Sequence, residues 1–71
     1  MKDINKLDVI LYAIEGGYFD YFSRYQKQSD FYIVYCNDEI ATYSSDDLIR
    51  YFDLLDNDLK SDILTDYLNE H

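Results

Sequence analysis

The side chains of this protein that are equipped for chemistry are overwhelmingly carboxylates. Asp58, Asp62, Asp66 and Glu70 recur every fourth residue near the end of the sequence, and Asp46, Asp47, Asp53 and Asp56 precede them. Acid–base catalysis of the glycosidase kind needs carboxylates that converge on a pocket, at least one with a perturbed pKa. Acids strung along a solvated helix face diverge instead. Asp56, Asp58 and Asp62 suggest a calcium loop, but the EF-hand pattern wants a further oxygen ligand two residues after Asp58 and then a glycine. Lys60 and Ser61 stand there, which excludes the standard loop and leaves weak, nonspecific divalent binding. Cys36 lies in an apolar run, where a cysteine is by default a small buried hydrophobe. The one histidine that might activate it as a nucleophile is the terminal His71, expected to be solvated and without a role. There is no glycine-rich phosphate loop and no zinc-ligand cluster. The expectation is a protein without catalytic residues, metal ligands or cofactor: a binder rather than an enzyme.

The stretch that must position most of these acids is the last third, Ser45 to His71. It holds eight acids against two bases, Arg50 and Lys60, interleaved with Leu48, Phe52, Leu55, Leu59, Ile63 and Tyr67. Apolar residues three or four apart predict helix with one buried stripe. Asp58, Asp62, Asp66 and Glu70 then form an outer row in which each neighbouring pair repels by about 0.2–0.5 kcal/mol. Ser44-Ser45-Asp46-Asp47 has the form of a capping box with Asp at the fourth position, and its early acids suit the positive end of the helix dipole. Asp56-Asn57-Asp58 are three poor helix formers in succession. They predict a break into helices over 46–55 and 58–69, although the apolar register runs through.

Before this, Ile4, Leu7, Ile10, Leu11 and Ile14 predict a helix over 4–15, with Asp3 as N-cap and Gly16-Gly17 as stop. Tyr18, Tyr21, Phe22 and Tyr25 at i, i+3, i+4 and i+7 predict a second helix over 18–28 with an aromatic face, against the alternative of an irregular loop. Phe31–Cys36 and Glu39–Tyr43 read as two strands. Asn37-Asp38 between them is a two-residue hairpin turn, because Asn and Asp tolerate positive φ. The expected fold is therefore α+β: one domain over residues 1–71, helices packed on a two-stranded antiparallel hairpin in the order α-α-β-β-α-α. A lone hairpin must pack on helices or pair with another strand, and edges this poorly protected by charge leave room for a homodimer.

Composition narrows the function classes. The 71 residues are 48% hydrophobic and 18% aromatic, without proline, which marks a folded chain rather than an acidic disordered one. The net charge is −9, and the bases Lys2, Lys6, Arg24, Lys27, Arg50 and Lys60 are scattered. Direct binding to nucleic acid or to an anionic membrane would need them clustered. A single cysteine permits no internal disulfide. The first apolar run is too short to span a bilayer, and Asp3 and Asp8 stand where a signal peptide would be basic. These features predict a cytoplasmic protein.

Nine tyrosines are the second unusual feature. A core this small leaves some of them at the surface, with Tyr18, Tyr21, Tyr25, Tyr32, Tyr35 and Tyr43 the candidates. Tyr is enriched at interfaces because it offers large contact area at low entropic cost. The alternative is that the tyrosines fill a core short of Leu and Val. Carboxylates four apart on a helix are separated by about 6 Å along the axis, a spacing similar to that of phosphates along a nucleic-acid strand. A basic nucleic-acid-binding cleft would meet such a row as a rigid polyanion, with electrostatically steered association. In size, acidity and lack of a catalytic motif the chain resembles the small phage-encoded antagonists of bacterial defence, the anti-CRISPR and anti-restriction proteins. The resemblance is one of class, with no shared motif. It implies a basic partner in the bacterial cytoplasm such as a CRISPR effector or a restriction enzyme. The residues implicated are Asp46, Asp47, Asp53, Asp58, Asp62, Asp66 and Glu70, with Tyr18, Tyr21 and Tyr25 beside them. Two other readings stay open: a non-enzymatic adaptor or homodimer built on the tyrosine surface, and an antitoxin-like neutraliser of a basic toxin.

Overall fold

A computed structural model describes residues 4–70. The first helix, α1, spans Lys6–Glu15 and starts where the Asn5 side chain accepts the Leu7 N–H at 2.9 Å. The expected cap at Asp3 lies outside the described residues. The helix ends as the glycine pair demands. Gly17 adopts φ +79°, and the Tyr18 N–H reaches back to the Ala13 carbonyl at 3.3 Å, the 6→1 bond of a Schellman closure. Gly16 is required for space: a Cβ there would lie 2.8 Å from the Tyr18 ring.

The chain then forms three strands, β1 (Phe22–Lys27), β2 (Tyr32–Cys36) and β3 (Ile40–Tyr43), in one antiparallel meander of order β1-β2-β3. Two helices follow, α2 (Ser45–Asp53) and α3 (Asn57–Glu70). The architecture is thus α-β-β-β-α-α with a three-stranded sheet, and it corrects the expected two-stranded hairpin, the second helix over 18–28 and the order built on them. The cause of the misreading is local. Phe22 pairs with Cys36 but Arg24 pairs with Tyr35, so Ser23 is an extra residue on β1, a β-bulge. The bulge reverses the side-to-side alternation of the strand. Phe22 and Tyr25, three residues apart, therefore face the same side and imitate a helical repeat.

The remaining expectations for the hairpin and the last third are met more closely. β2 and β3 turn at Asn37-Asp38, with the Cys36 N–H bonded to the Glu39 carbonyl at 2.9 Å. Among the described residues no non-glycine residue has positive φ, so this turn closes without the left-handed conformation that the Asn-Asp pair suggests. Ser44 caps α2, its Oγ accepting the Asp47 N–H at 3.1 Å. The last third breaks into two helices as expected, but slightly earlier than the run of poor helix formers places it: Leu54, Leu55 and Asp56 lie in the break, and Asn57 and Asp58 open α3.

Helix α1 is the centre of the fold. Val9, Ile10, Ala13 and Ile14 are wholly inaccessible, and α1 packs on β1, on α2 and on α3. The sheet contributes Phe22, Tyr32, Val34 and Cys36 to the core, α2 contributes Leu48 and Phe52, and α3 contributes Ile63. Cys36 is free and buried. Tyr32, expected at the surface, is buried, while Tyr25 and Tyr43 pack against the core half-buried. Tyr12, Tyr51 and Tyr67 join them there, so the tyrosines form an outer layer of the core, as the alternative reading of their number holds. Edge-to-face contacts tie this layer together, for example Phe22–Tyr51 at 5.2 Å and Tyr12–Tyr67 at 5.6 Å. No helix among the described residues is long and apolar enough to cross a membrane.

Candidate functional site: the carboxylates and their tyrosines

Asp58, Asp62, Asp66 and Glu70 are all exposed on α3, a single helix held to α1 by the fully buried Ile63. The expected row therefore exists, winding by about 40° per step because four residues exceed one turn of 3.6. Among the described residues the ion pairs are Lys6–Asp53 at 2.9 Å and Arg50–Asp47 at 3.8 Å. Both neutralise acids of α2. Among the described residues no lysine or arginine forms an ion pair with the α3 row.

One member of the row is held instead by a neutral donor, and a second lies within the electrostatic reach of another tyrosine. The Tyr18 hydroxyl donates to Asp66. Tyr12 interacts with both Glu70 and Tyr18, and the hydrogen bond to Glu70 is the main reason its pKa is raised. The Tyr18 pKa is raised more strongly, first by the bond to Asp66 and then by the one to Tyr12. A hydroxyl that donates to a carboxylate resists ionisation, because losing its proton would set two anions side by side. Such a donor orients the carboxylate without cancelling its charge.

The same pairing recurs elsewhere. The Tyr21 hydroxyl donates to Glu39 at 2.7 Å beside the β2–β3 turn, which raises the Tyr21 pKa. The Tyr25 pKa is pushed up by burial first and by the charge of Glu15 second. The tyrosines and acids, read from the sequence as separate features, are donor and acceptor of one another.

The structure divides the expected partner-binding set. Tyr18, Asp66 and Glu70 come together with Tyr12, and Asp58 and Asp62 continue their helix. Tyr21 lies with Glu39. Asp46, Asp47 and Asp53 sit on α2, which packs on α1 and β3, and two of these three are ion-paired. Tyr25 faces a separate cleft of about 330 Å³ lined by Asp8, Leu11, Tyr12, Glu15, Tyr25 and Tyr67. Tyr12, Asp8 and Glu15 are not among the expected site residues, although Asp8, Leu11, Tyr12 and Glu15 stand at i, i+3, i+4 and i+7 and make a second stripe on α1. His71 lies outside the described residues. Among the described residues no group of three or more His, Cys, Asp or Glu is placed to hold a metal ion.

One electrostatic feature belongs to the fold as a whole. The beginnings of α1 and α3 are joined through Asp53, whose carboxylate takes Lys6 and whose carbonyl accepts from Lys60 at 3.3 Å. Their last turns meet through Tyr12, Tyr67 and Glu70. The two helices thus run in the same sense, and neither has a base in its last turn. The negative ends of two helix dipoles coincide with Glu15, Asp66 and Glu70, where cations would ordinarily be favoured. No family model, no curated protein and no solved structure matches this chain.

Proposed function

We propose that this protein binds and inhibits a nucleic-acid-acting protein by presenting the α3 carboxylates as a substitute for a phosphate backbone. The observation that carries the reading is that Asp58, Asp62, Asp66 and Glu70 lie in one row with no cationic partner among the described residues, while the Tyr18 hydroxyl holds Asp66 in place. A row kept only for solubility needs no such fixing. A surface that must match a basic cleft gains from it, because side chains already ordered lose less entropy on binding. The class resemblance to phage-encoded antagonists of CRISPR and restriction systems points the same way. It names the kind of partner: a basic effector or nuclease of a bacterial host.

The adaptor reading, built on an exposed tyrosine surface, has weaker support. Tyr32 is buried, and the hydroxyls of Tyr18 and Tyr21 are engaged by the protein's own acids. Edge pairing into a homodimer through β3 is disfavoured by Asp38 and Glu39 before that strand and Asp46 and Asp47 after it, since antiparallel pairing would bring acids of the two copies together.

The test is capture of partners from a bacterial host lysate on the immobilised protein, at low and at high salt, with mass-spectrometric identification. The expected result is a nucleic-acid-acting protein retained at low salt, released by salt or by competing DNA or RNA, and not retained by the D58N/D62N/D66N/E70Q variant. Salt-resistant capture of a partner without a basic cleft, unaffected by that variant, would overturn the reading.

A further inference from the structure

The cleft between α1, β1 and α3 contains no member of the α3 acidic row, although Tyr12, which lines it, also reaches Glu70. Tyr12 and Tyr67 meet there at 80° with centroids 5.6 Å apart, and Tyr25 contributes from β1. Asp8 and Glu15, one near each end of α1, supply two carboxylates, and among the described residues no basic one lines the space. Tyrosine π-faces attract cations, and carboxylates accept the parallel N–H donors of a guanidinium in forked geometry. A guanidinium also stacks on aromatic rings and is more weakly hydrated than an ammonium, so it enters a partly apolar cleft at lower cost. Glu15 adds a further reason. It lies in the last turn of α1, at the negative end of the dipole, and that turn holds no basic residue.

We infer that this cleft is a binding site for an arginine side chain presented by a protein partner, with Tyr12, Tyr25 and Tyr67 as its walls and Asp8 and Glu15 as its anionic acceptors. The source of the arginine rests on the proposal that the partner is basic; the site rests on the cleft alone. The two fit together sterically, because Tyr67 lies on α3 between Asp66 and Glu70. A polypeptide that inserts an arginine beside Tyr67 brings its neighbouring basic groups onto the α3 row.

The test is an amide NMR titration of the full chain with N-acetyl-arginine amide, compared with the lysine amide and with the citrulline amide, the neutral isostere of arginine. Saturable shifts confined to Leu11, Tyr12, Glu15, Tyr25 and Tyr67 are expected with arginine. Affinity for citrulline should be lower by roughly three- to thirtyfold, the span of a cation–π contact. E15Q, a surface change that does not threaten folding, should weaken arginine binding by a similar factor, and D58N/D62N should leave it unchanged. Equal binding of citrulline or lysine, or non-saturating shifts spread over all the acids, would overturn the inference. The outcome is separable from the mimicry reading. Loss of low-salt partner capture with arginine binding intact sinks mimicry and supports the site, and capture without arginine binding sinks the site.

Discussion

If the α3 row is retained for binding rather than for stability, removing one of its charges should make the protein more stable and a poorer binder. Asp62 is the residue for this test, because it is exposed, sits mid-helix and has Asp58 four residues before it and Asp66 four residues after. Each such like-charge pair costs about 0.2–0.5 kcal/mol, so D62N should relieve about 0.4–1 kcal/mol. Asp and Asn have similar helix propensity, so the exchange is close to a pure change of charge. For 71 residues the entropy of unfolding is about 0.15 kcal/mol/K, which converts the gain to a rise in Tm of about 3–7 °C. The assay is thermal unfolding by circular dichroism at low ionic strength, repeated near 1 M salt, where screening acts within about 3 Å and should erase the difference. D20N is the control, since it removes one charge from the chain but none from the row, and its effect should stay within about 0.5 kcal/mol. An unchanged or lower Tm for D62N, or a gain that survives high salt or appears equally in D20N, would refute the claim that the row is electrostatically frustrated.

The other expectations concern the fold that presents the row. I63A should cost about 2–5 kcal/mol, against a total of about 3–5 kcal/mol for a core of this size, because Ile63 is the one fully buried side chain by which α3 is held. In urea titration its midpoint should collapse, with I63V intermediate, and an I63A midpoint near wild type would show that α3 is anchored otherwise. Stability should also fall above pH 10. Tyr12, Tyr18, Tyr21, Tyr25, Tyr43 and Tyr51 all have pKa values raised in the fold. The unfolded chain releases these protons near pH 10, so the stabilisation is complete below that value and is lost as the pH rises toward the folded-state values. Absorbance at the tyrosinate band should show these residues ionising together with loss of circular dichroism; ionisation of all nine near pH 10 with the fold intact would contradict the hydrogen-bond assignments.

Where the sequence was legible, a local rule met no competitor. The Ser44 cap, the break after Asp53, the stop at Gly17 and the buried stripe through Leu48, Phe52 and Ile63 each follow from neighbours along the chain. Tyr18 to Lys27 was misread because two periodicities coincide there. The bulge at Ser23 places Phe22 and Tyr25 on one face, and nothing in the residue types separates that from a helical repeat. The site was legible in part. The α3 row follows from spacing once a helix is granted, but the contacts of Tyr18 with Asp66 and of Tyr12 with Glu70 span most of the chain and depend on how α3 lies against α1. Spacing along a sequence carries no information about that angle. The α1 stripe of Asp8, Tyr12 and Glu15 was available, and was overshadowed by the stronger apolar stripe on the same helix.

The shared direction of α1 and α3 has a consequence for how the molecule meets anything charged. Its net charge draws it toward a positive body whichever way it is turned, but a charge distribution with one end more negative than the other also experiences a torque. In the field of a basic surface the protein therefore rotates as it drifts inward. The end carrying Glu15, Asp66 and Glu70 leads, and fewer collisions are spent on unproductive orientations. The alignment of two helices sets a preferred angle of approach before any side chain has touched its partner.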